Sequence, residues 1–309
     1  MSKLGQWVLN ITAGVFFFFL FFLFMFPFDS IVQYFLSQVE TNTNGAYRIT
    51  VSEIKPSLLF KTVFKNFQLH HRGQNGDEIW IDMPEVRVGF HYLPLLAHRF
   101  QASFVAKGKK GEMDGHFSLL FSDLSLTEGD FSTEIDGIQF SDLPFLYTGV
   151  GDSLVGSIDG KIDLSLDSDH VNRNSGLIEL KFKNVSMPAG RFSPYPGFDI
   201  DLPDTVLTDA KGGIFSAKMD AGKMEIKAVS LTGGDLILNL AGKLQINKKL
   251  PLSRFNLDGT FQLSKKLEDA FPFIIVVDKQ KNEDGSYPIS FSGHFSKVQI
   301  QVGTFEVLK

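Results

Sequence analysis

The sequence predicts a mainly β protein, with an N-terminal single transmembrane helix followed by an elongated, curled antiparallel β-sheet domain. Three observations predict it. The 22-residue run Trp7–Phe28 carries no charge, apolar and polar residues alternate along much of the chain after Gly45, and a glycine-centred pattern recurs inside those alternating stretches. We expect the sheet to form an open groove or a flattened barrel. The expected organisation is an anchor over 1–29, a helix over 30–45 and a β domain over 46–309, with a candidate break near 187–210.

The N-terminal run is typical of a membrane anchor. A helix that crosses a hydrocarbon core of about 30 Å needs roughly 20 mostly apolar residues, and this run supplies them. Secretory signal peptides have a shorter apolar core of about 7 to 15 residues and end at small residues. Here the run ends in Phe26-Pro27-Phe28-Asp29, so we expect an uncleaved anchor. The anchor residues are Trp7, Phe16, Phe19, Phe22 and Phe26.

Charge indicates how this anchor is oriented. Lys3 precedes the run, and the first basic residue after it is Arg48. The positive-inside rule then places the short N-terminus in the cytoplasm and the β domain across the membrane. The chain has no cysteine, so it has neither disulfides nor thiolate metal sites, which is compatible with a periplasmic domain. Its net charge of -5 provides no basic footprint for nucleic acid.

A helix is predicted between the anchor and the first strand. Ile31, Val32, Phe35, Leu36 and Val39 recur with helical period. The residue before them is a serine, a good N-cap, and a glycine follows the pattern as a stop signal. The helix either closes the end of the β domain or lies on the membrane. We favour the first interpretation, because the polar face lacks the lysines and arginines of interfacial helices.

One strand pattern recurs after the helix: apolar, any, Gly, any, apolar, any, apolar. Its glycines are Gly115, Gly160, Gly242, Gly259 and Gly293. Glycine inside a strand usually marks a bend or a close approach of backbones, so these residues predict a sheet curled along a line of glycines. The apolar residues in phase with them form one predicted sheet face, which is either a closed core or an open lipid groove. That face includes Ile162, Leu164, Leu240, Leu244, Ile246, Leu257, Phe261 and Leu263.

A proline-rich segment divides the alternating pattern. Pro188, Pro194, Pro196 and Pro203 lie within 18 residues, Ser186 to Pro203. Proline cannot donate to a strand ladder, so this density excludes a central strand. The segment is a candidate break between two halves of the domain.

No catalytic or metal-binding pattern is complete, so we predict no enzyme, no metal site and no cofactor. The stretch Gly156–Lys161 resembles a P-loop but is one residue short, and Ile162 replaces the required hydroxyl. Asp167 and Asp169 start like a calcium loop, but Val171 stands at the third ligand position. The histidines are scattered, and the nucleophile and zinc motifs are missing.

The opening of the chain resembles that of the AsmA-like superfamily. The resemblance is carried by the anchor, the helix ending at Gly45, and the motifs Tyr47–Val51, Pro56–Leu59 and Lys65–Leu69. Relatives of this superfamily are similar to lipid-transfer proteins, with a curled sheet whose concave face is apolar. The resemblance to the superfamily therefore implies, as the alternative to the more specific function given next, a periplasmic lipid-binding or lipid-transfer protein.

The later part of the chain resembles more specifically the type II secretion system protein N (GspN) family. The matching stretches are Gly233–Ile246, Leu252-Ser253 and Asp284–Gly293. This resemblance implies a single-pass protein of the bacterial inner membrane that serves type II secretion as an accessory component, a scaffold with a periplasmic β domain. The implied partners are the inner membrane, other secretion components, and the acyl chains of phospholipid or lipopolysaccharide, with no nucleic acid.

Overall fold

The computed structural model describes residues 28–308 apart from short gaps at 58–60, 74–75, 92–93, 95–96, 123–124, 147–153, 168, 196–197, 248–251, 272–273 and 295–296. The predicted anchor residues Trp7, Phe16, Phe19, Phe22 and Phe26 lie outside the described residues. Within the described ranges, no helix is long and apolar enough to span a bilayer.

Antiparallel β-structure dominates the described part of the chain, as the sequence predicted, with 65% of those residues in strands. Among the described residues, seventeen strands form one large sheet, and two further strands form a separate hairpin. The large sheet does not close on itself. The flattened barrel, one of the two expected forms, is therefore wrong.

The elements occur in the following order. The first nine strands are β1 (Tyr47–Thr50), β2 (Glu53–Ser57), β3 (Lys61–Gly73), β4 (Gly76–His91), β5 (Arg99–Lys107), β6 (Glu112–Ser122), β7 (Ser125–Gln139), β8 (Val155–Asp167) and β9 (Ser175–Met187). The remaining strands are β10 (Gly190–Tyr195), β11 (Phe198–Leu202), β12 (Thr205–Val206), β13 (Gly213–Asp220), β14 (Lys223–Leu231), β15 (Leu236–Gln245), β16 (Arg254–Leu263), β17 (Tyr287–His294), β18 (Lys297–Val302) and β19 (Phe305–Leu308). The helices are α1 (Phe28–Asn42), α2 (Lys265–Ala270) and α3 (Ile274–Val277), with 3-10 turns at Phe140–Asp142, Pro144–Leu146, Val171–Arg173 and Asp278–Gln280.

Almost every strand of the large sheet pairs with its neighbour in sequence. Strands β3 to β9 form one antiparallel meander, and β13 to β19 form a second. The two meanders join directly, because β13 pairs with β9 from Gly213 opposite Phe182 to Met219 opposite Gly176. The proline-rich segment stands outside this join as the β10–β11 hairpin. The large sheet is therefore continuous across the candidate break.

Apolar side chains are buried mainly at one end of the strands, which we call the covered end. It is the end at which β3, β5, β7, β9, β14, β16 and β18 finish. One cluster there includes Phe64, Met83 and Ile138, a second includes Phe140, and a third includes Tyr287. The 3-10 turn after β7 contributes to the second cluster, and α3 contributes to the third. Connecting segments thus cover the sheet at this end.

Helix α1 covers part of the same end. Val32 and Leu36 pack against the cluster that holds Phe64 and Ile138. The helix ends through Gly45, whose φ of +76° lies in the left-handed region and whose N–H donates to the carbonyl of Glu40. This packing fits the favoured interpretation of α1 as a helix that closes the end of the β domain.

Candidate apolar binding face

Cross-strand pairing places apolar residues from sequence-distant strands in continuous rows. One row runs from β4 to β18 with one residue on each strand and contains no charged side chain. Its members are Val88, Phe104, Gly115, Thr133, Ile162, Ile178, Ala217, Ile226, Gly242, Leu257, Phe291 and Ile300. Its one hydroxyl, on Thr133, donates to the carbonyl of Asp114, so the row presents no unsatisfied polar atom. The large sheet therefore has one continuous apolar face.

The predicted face residues that lie in strands share this face. The other predicted face residues lie in the rows on either side of the row just described. Each of them pairs with an apolar residue or a glycine of the neighbouring strand. These pairs include Leu164 with Gly176, Leu244 with Phe255, Leu240 with Gly259, Phe261 with Tyr287, Leu263 with Leu236 and Gly293 with Phe255. Ile246 follows the last residue of β15, so it lies just beyond the sheet.

Exposure differs between the rows. At the covered end, Phe64 is 7% exposed and Ile158 is 3% exposed. Further from that end, Phe104, Phe131 and Leu244 remain partly exposed although they point to the same side of the sheet. A closed core would bury such large side chains, so the face is accessible from outside at these three residues.

The total surface of the chain agrees with an open sheet. The chain exposes 19546 Å². A compact monomer of 34.5 kDa exposes about 13,000 Å². The residues before α1 would contribute only about 4,600 Å² even as a fully exposed chain. The excess over a compact monomer is larger than this contribution by about 2,000 Å², which agrees with a sheet that does not close.

The glycines on this face bring neighbouring backbones and side chains unusually close. A Cβ atom on Gly160 would lie 2.8 Å from the Cα of Leu180, and the φ of this glycine is +150°. A Cβ atom on Gly115 would lie 2.8 Å from Cζ of Phe104, whose ring rests against the glycine. Only glycine leaves room for these approaches, which are the local distortions expected where strands bend.

The opposite face of the sheet is polar and charged. Glu85 accepts hydrogen bonds from Lys65 and Arg87, with Nη2 of Arg87 2.6 Å from Oε1 of Glu85. The hydrogen bond from Lys65 is the main cause that lowers the pKa of Glu85 below its usual value. On β8, the Lys161 ammonium lies 3.1 Å from the Asp163 carboxylate. The charged face is suited to water, so the apolar face is the distinctive surface of the molecule.

The incomplete calcium-loop motif has a structural role at its first aspartate. Asp167 accepts hydrogen bonds from the backbone N–H groups of His170 at 2.7 Å and Asp169 at 2.9 Å. The first of these bonds is the main cause that lowers the pKa of Asp167. This carboxylate therefore caps the turn after β8. Among the described residues, no group of three His, Cys, Asp or Glu side chains is placed to hold a metal ion.

The glycine pattern missed the part of the face on β13 and β14. Ala217, Met219 and Ile226 are buried there and lie in the apolar rows. Both strands lack a glycine at the centre, so only their period-two alternation could have identified them. Polar residues such as Lys218 and Glu225 alternate with them and are exposed.

Fold and face together define a class of protein: an open, continuous antiparallel sheet with one apolar and one charged face. No protein-family model, curated protein or solved structure matches this chain.

Proposed function

We propose that the protein binds lipid acyl chains on the open apolar face of its sheet and passes them along it. The observation that carries this proposal is the uncharged row from Val88 to Ile300, which remains continuous over the strands from β4 to β18. Apolar surface in water is unfavourable by about 25 cal/mol per Å². An acyl chain that lies on the partly exposed members of the row, such as Phe104 and Ile162, removes this penalty and requires no hydrogen bond in return.

The lining of the face suits a chain that slides. Pockets that hold one small molecule place a few polar groups to fix its orientation. Along the row the side chains are aliphatic or aromatic, and the hydroxyl of Thr133 is already bonded to the protein backbone. A hydrocarbon chain finds similar contacts at successive strands, which are spaced about 4.8 Å apart. This supports a binder of apolar chains, as the resemblance to the AsmA-like superfamily also implies.

The proposal includes attachment to a bacterial inner membrane, with the sheet in the periplasm. It rests on the uncharged run Trp7–Phe28 and on Lys3 before it. A reporter that is active only in the cytoplasm, fused after Lys309, should be silent. An active reporter would contradict this orientation.

A second candidate function is that of an accessory scaffold of type II secretion. It is supported by the resemblance of Gly233–Ile246 and Asp284–Gly293 to the GspN family. These stretches contribute to β15 and β17, the two strands that pair with β16 on either side. In a scaffold, a partner protein would cover the apolar face. Deleting the gene should then impair export of folded periplasmic proteins. Normal export with an altered outer-membrane lipid composition would favour lipid transport instead.

A paired substitution on β15 tests acyl-chain binding. Leu244 points to the apolar face and is partly exposed, whereas the adjacent Lys243 points to the charged face and is exposed. The full chain, purified in mild detergent, should carry lipid detectable by mass spectrometry. Leu244→Asp should lose most of that lipid and keep its strand circular dichroism, while Lys243→Asp should keep both.

Other outcomes of this experiment decide against the proposal. Wild-type protein free of lipid, with cooperative loss of structure in Leu244→Asp, would indicate that the face is an ordinary core. In that case the substitution buries an unpaired charge.

A further inference from the structure

A strip of exposed apolar side chains follows the covered end of the sheet. Among the described residues, large apolar side chains that are more than a third exposed occur there on many elements, and six of them, one on each of six elements, follow the end in spatial order. They are Phe145 in the turn after β7, Val155 on β8, Val206 on β12, Ile237 on β15, Ile275 on α3 and Phe305 on β19. We call these six residues the apolar rim. With strands about 4.8 Å apart, the rim extends along the sheet for roughly 40 Å from β7 to β19.

Two elements of the rim are apolar on both sides. Helix α3 has the sequence Ile-Ile-Val-Val; it buries Val277, which is 4% exposed, and leaves Ile275 75% and Val276 59% exposed. The turn Pro144–Leu146 behaves similarly, since the ring of Phe145 lies 6.2 Å from that of Trp80 and is still 41% exposed. A covering element in water normally presents polar residues outward. The rim therefore lacks the outer polar layer of an ordinary surface.

The length and position of the rim favour a lipid bilayer as its partner. Monomeric proteins rarely expose large contiguous apolar patches unless these bind something. The strip spans six elements over roughly 40 Å, so it offers an extended surface to a partner. The uncharged run Trp7–Phe28 leads directly into α1, and α1 packs on the covered end. A run long enough to enter a hydrocarbon core is thus joined to the end of the sheet that carries the rim.

We infer that the apolar rim lies on the surface of the bilayer that holds the N-terminal run. This inference rests on the membrane attachment proposed above and adds a place of contact. With the rim on lipid, the covered end of the sheet, and with it one end of the apolar face, is held at the bilayer surface. Burial of amphipathic elements to a depth of about 5 to 10 Å is typical of such surface contacts.

Single cysteines test the contact, because the natural chain contains none. Ile275→Cys and Phe145→Cys place a probe on the rim, and Lys243→Cys places it on the exposed charged face of β15 as the matched control. Each full-length variant is labelled with nitrobenzoxadiazole and reconstituted in vesicles of phosphatidylethanolamine and phosphatidylglycerol. Some of the vesicles carry lipids brominated on the acyl chain, which quench probes that reach the hydrocarbon.

The rim probes should shift to the blue and lose at least about half of their emission in brominated vesicles, as expected for side chains at the acyl boundary. The Lys243→Cys probe should remain unquenched. If the chain floats with the vesicles but the rim probes match the control, the inference is overturned while membrane attachment stands. Rim probes that are shielded yet unquenched, and that cross-link between copies, would overturn it in favour of a self-association surface.

Flotation with vesicles tests the membrane attachment independently of the rim probes. A chain that does not float with vesicles would overturn both the anchor and the rim contact. Lipid found by mass spectrometry on that same chain would still support acyl-chain binding by the face.

Discussion

The covered end of the sheet and the rest of its apolar face use the same kinds of side chain to different effect. At the covered end, Phe64 and Ile138 pack against a helix and a turn and are almost fully buried. Beyond it, Phe104 and Phe131 stack on each other, with ring centroids 6.1 Å apart, and remain partly exposed. The first region forms clusters of buried residues, whereas the second makes contacts mainly within the sheet.

This difference separates the residues that stabilise the fold from those available to a ligand. Burying an aromatic side chain against several elements contributes more than packing it on adjacent strands. The covered end can therefore stabilise the sheet while the remaining face stays free for apolar chains. The same type of substitution should therefore lower the free energy of unfolding more at the covered end than on the rest of the face.

The largest expected effect is that of truncating a phenylalanine in each region. Phe64→Ala removes a buried ring from the first cluster and should lower the free energy of unfolding by about 3–5 kcal/mol. Phe104→Ala removes a partly exposed ring and should lower it by roughly half as much. Denaturant unfolding of the full chain in mild detergent, followed by strand circular dichroism, measures both. Equal losses would indicate that the whole face is one closed core.

A pair of glycines sharpens the comparison within the face itself. At Gly160, φ is +150° and a Cβ atom would meet the backbone of β9, so Gly160→Ala should lower the free energy of unfolding by about 1–3 kcal/mol. At Gly129, a Cβ atom would meet only Cδ2 of Leu119 at 3.4 Å, so Gly129→Ala should be nearly neutral. Unfolding midpoints of the two variants compare them directly. A neutral Gly160→Ala would mean that the strands do not need their close approach there.

The local pattern of the sequence was enough to predict antiparallel strands and their shared apolar face. Leu240, Leu244 and Leu257 were assigned to one side of the sheet because side chains alternate along a strand. The pairing of β13 with β9 was not predictable, because the β10–β11 hairpin intervenes and no local signal specifies which strand lies beyond it. Alternation also reports which side of a strand is apolar but not what covers that side. For this reason the sequence left the core and the groove open as alternatives.

The smallest expected effect concerns pH and two carboxylates in different surroundings. Asp142 at the covered end is fully buried and accepts hydrogen bonds from the backbone N–H groups of Lys109 at 3.2 Å and Gln139 at 3.3 Å. Burial is the main cause that raises the pKa of Asp142. Glu85 on the charged face instead has a lowered pKa, chiefly because Lys65 donates to it.

The two shifts give opposite contributions to the pH dependence of stability. For Asp142, the stabilisation is present below the unfolded pKa of about 3.9 and is lost as pH rises through the higher folded pKa. For Glu85, it is present above the unfolded pKa of about 4.3 and is lost as pH falls through the lower folded pKa. Relative to wild type, Asp142→Asn should therefore look worse in acid than at neutral pH, and Glu85→Gln should look better in acid. The test is to measure the unfolding midpoints of wild type and of both variants at acidic and at neutral pH. If the midpoints of the two variants, each relative to wild type, shifted in the same direction between these pH values, the covered end would not isolate Asp142 from solvent as its burial implies.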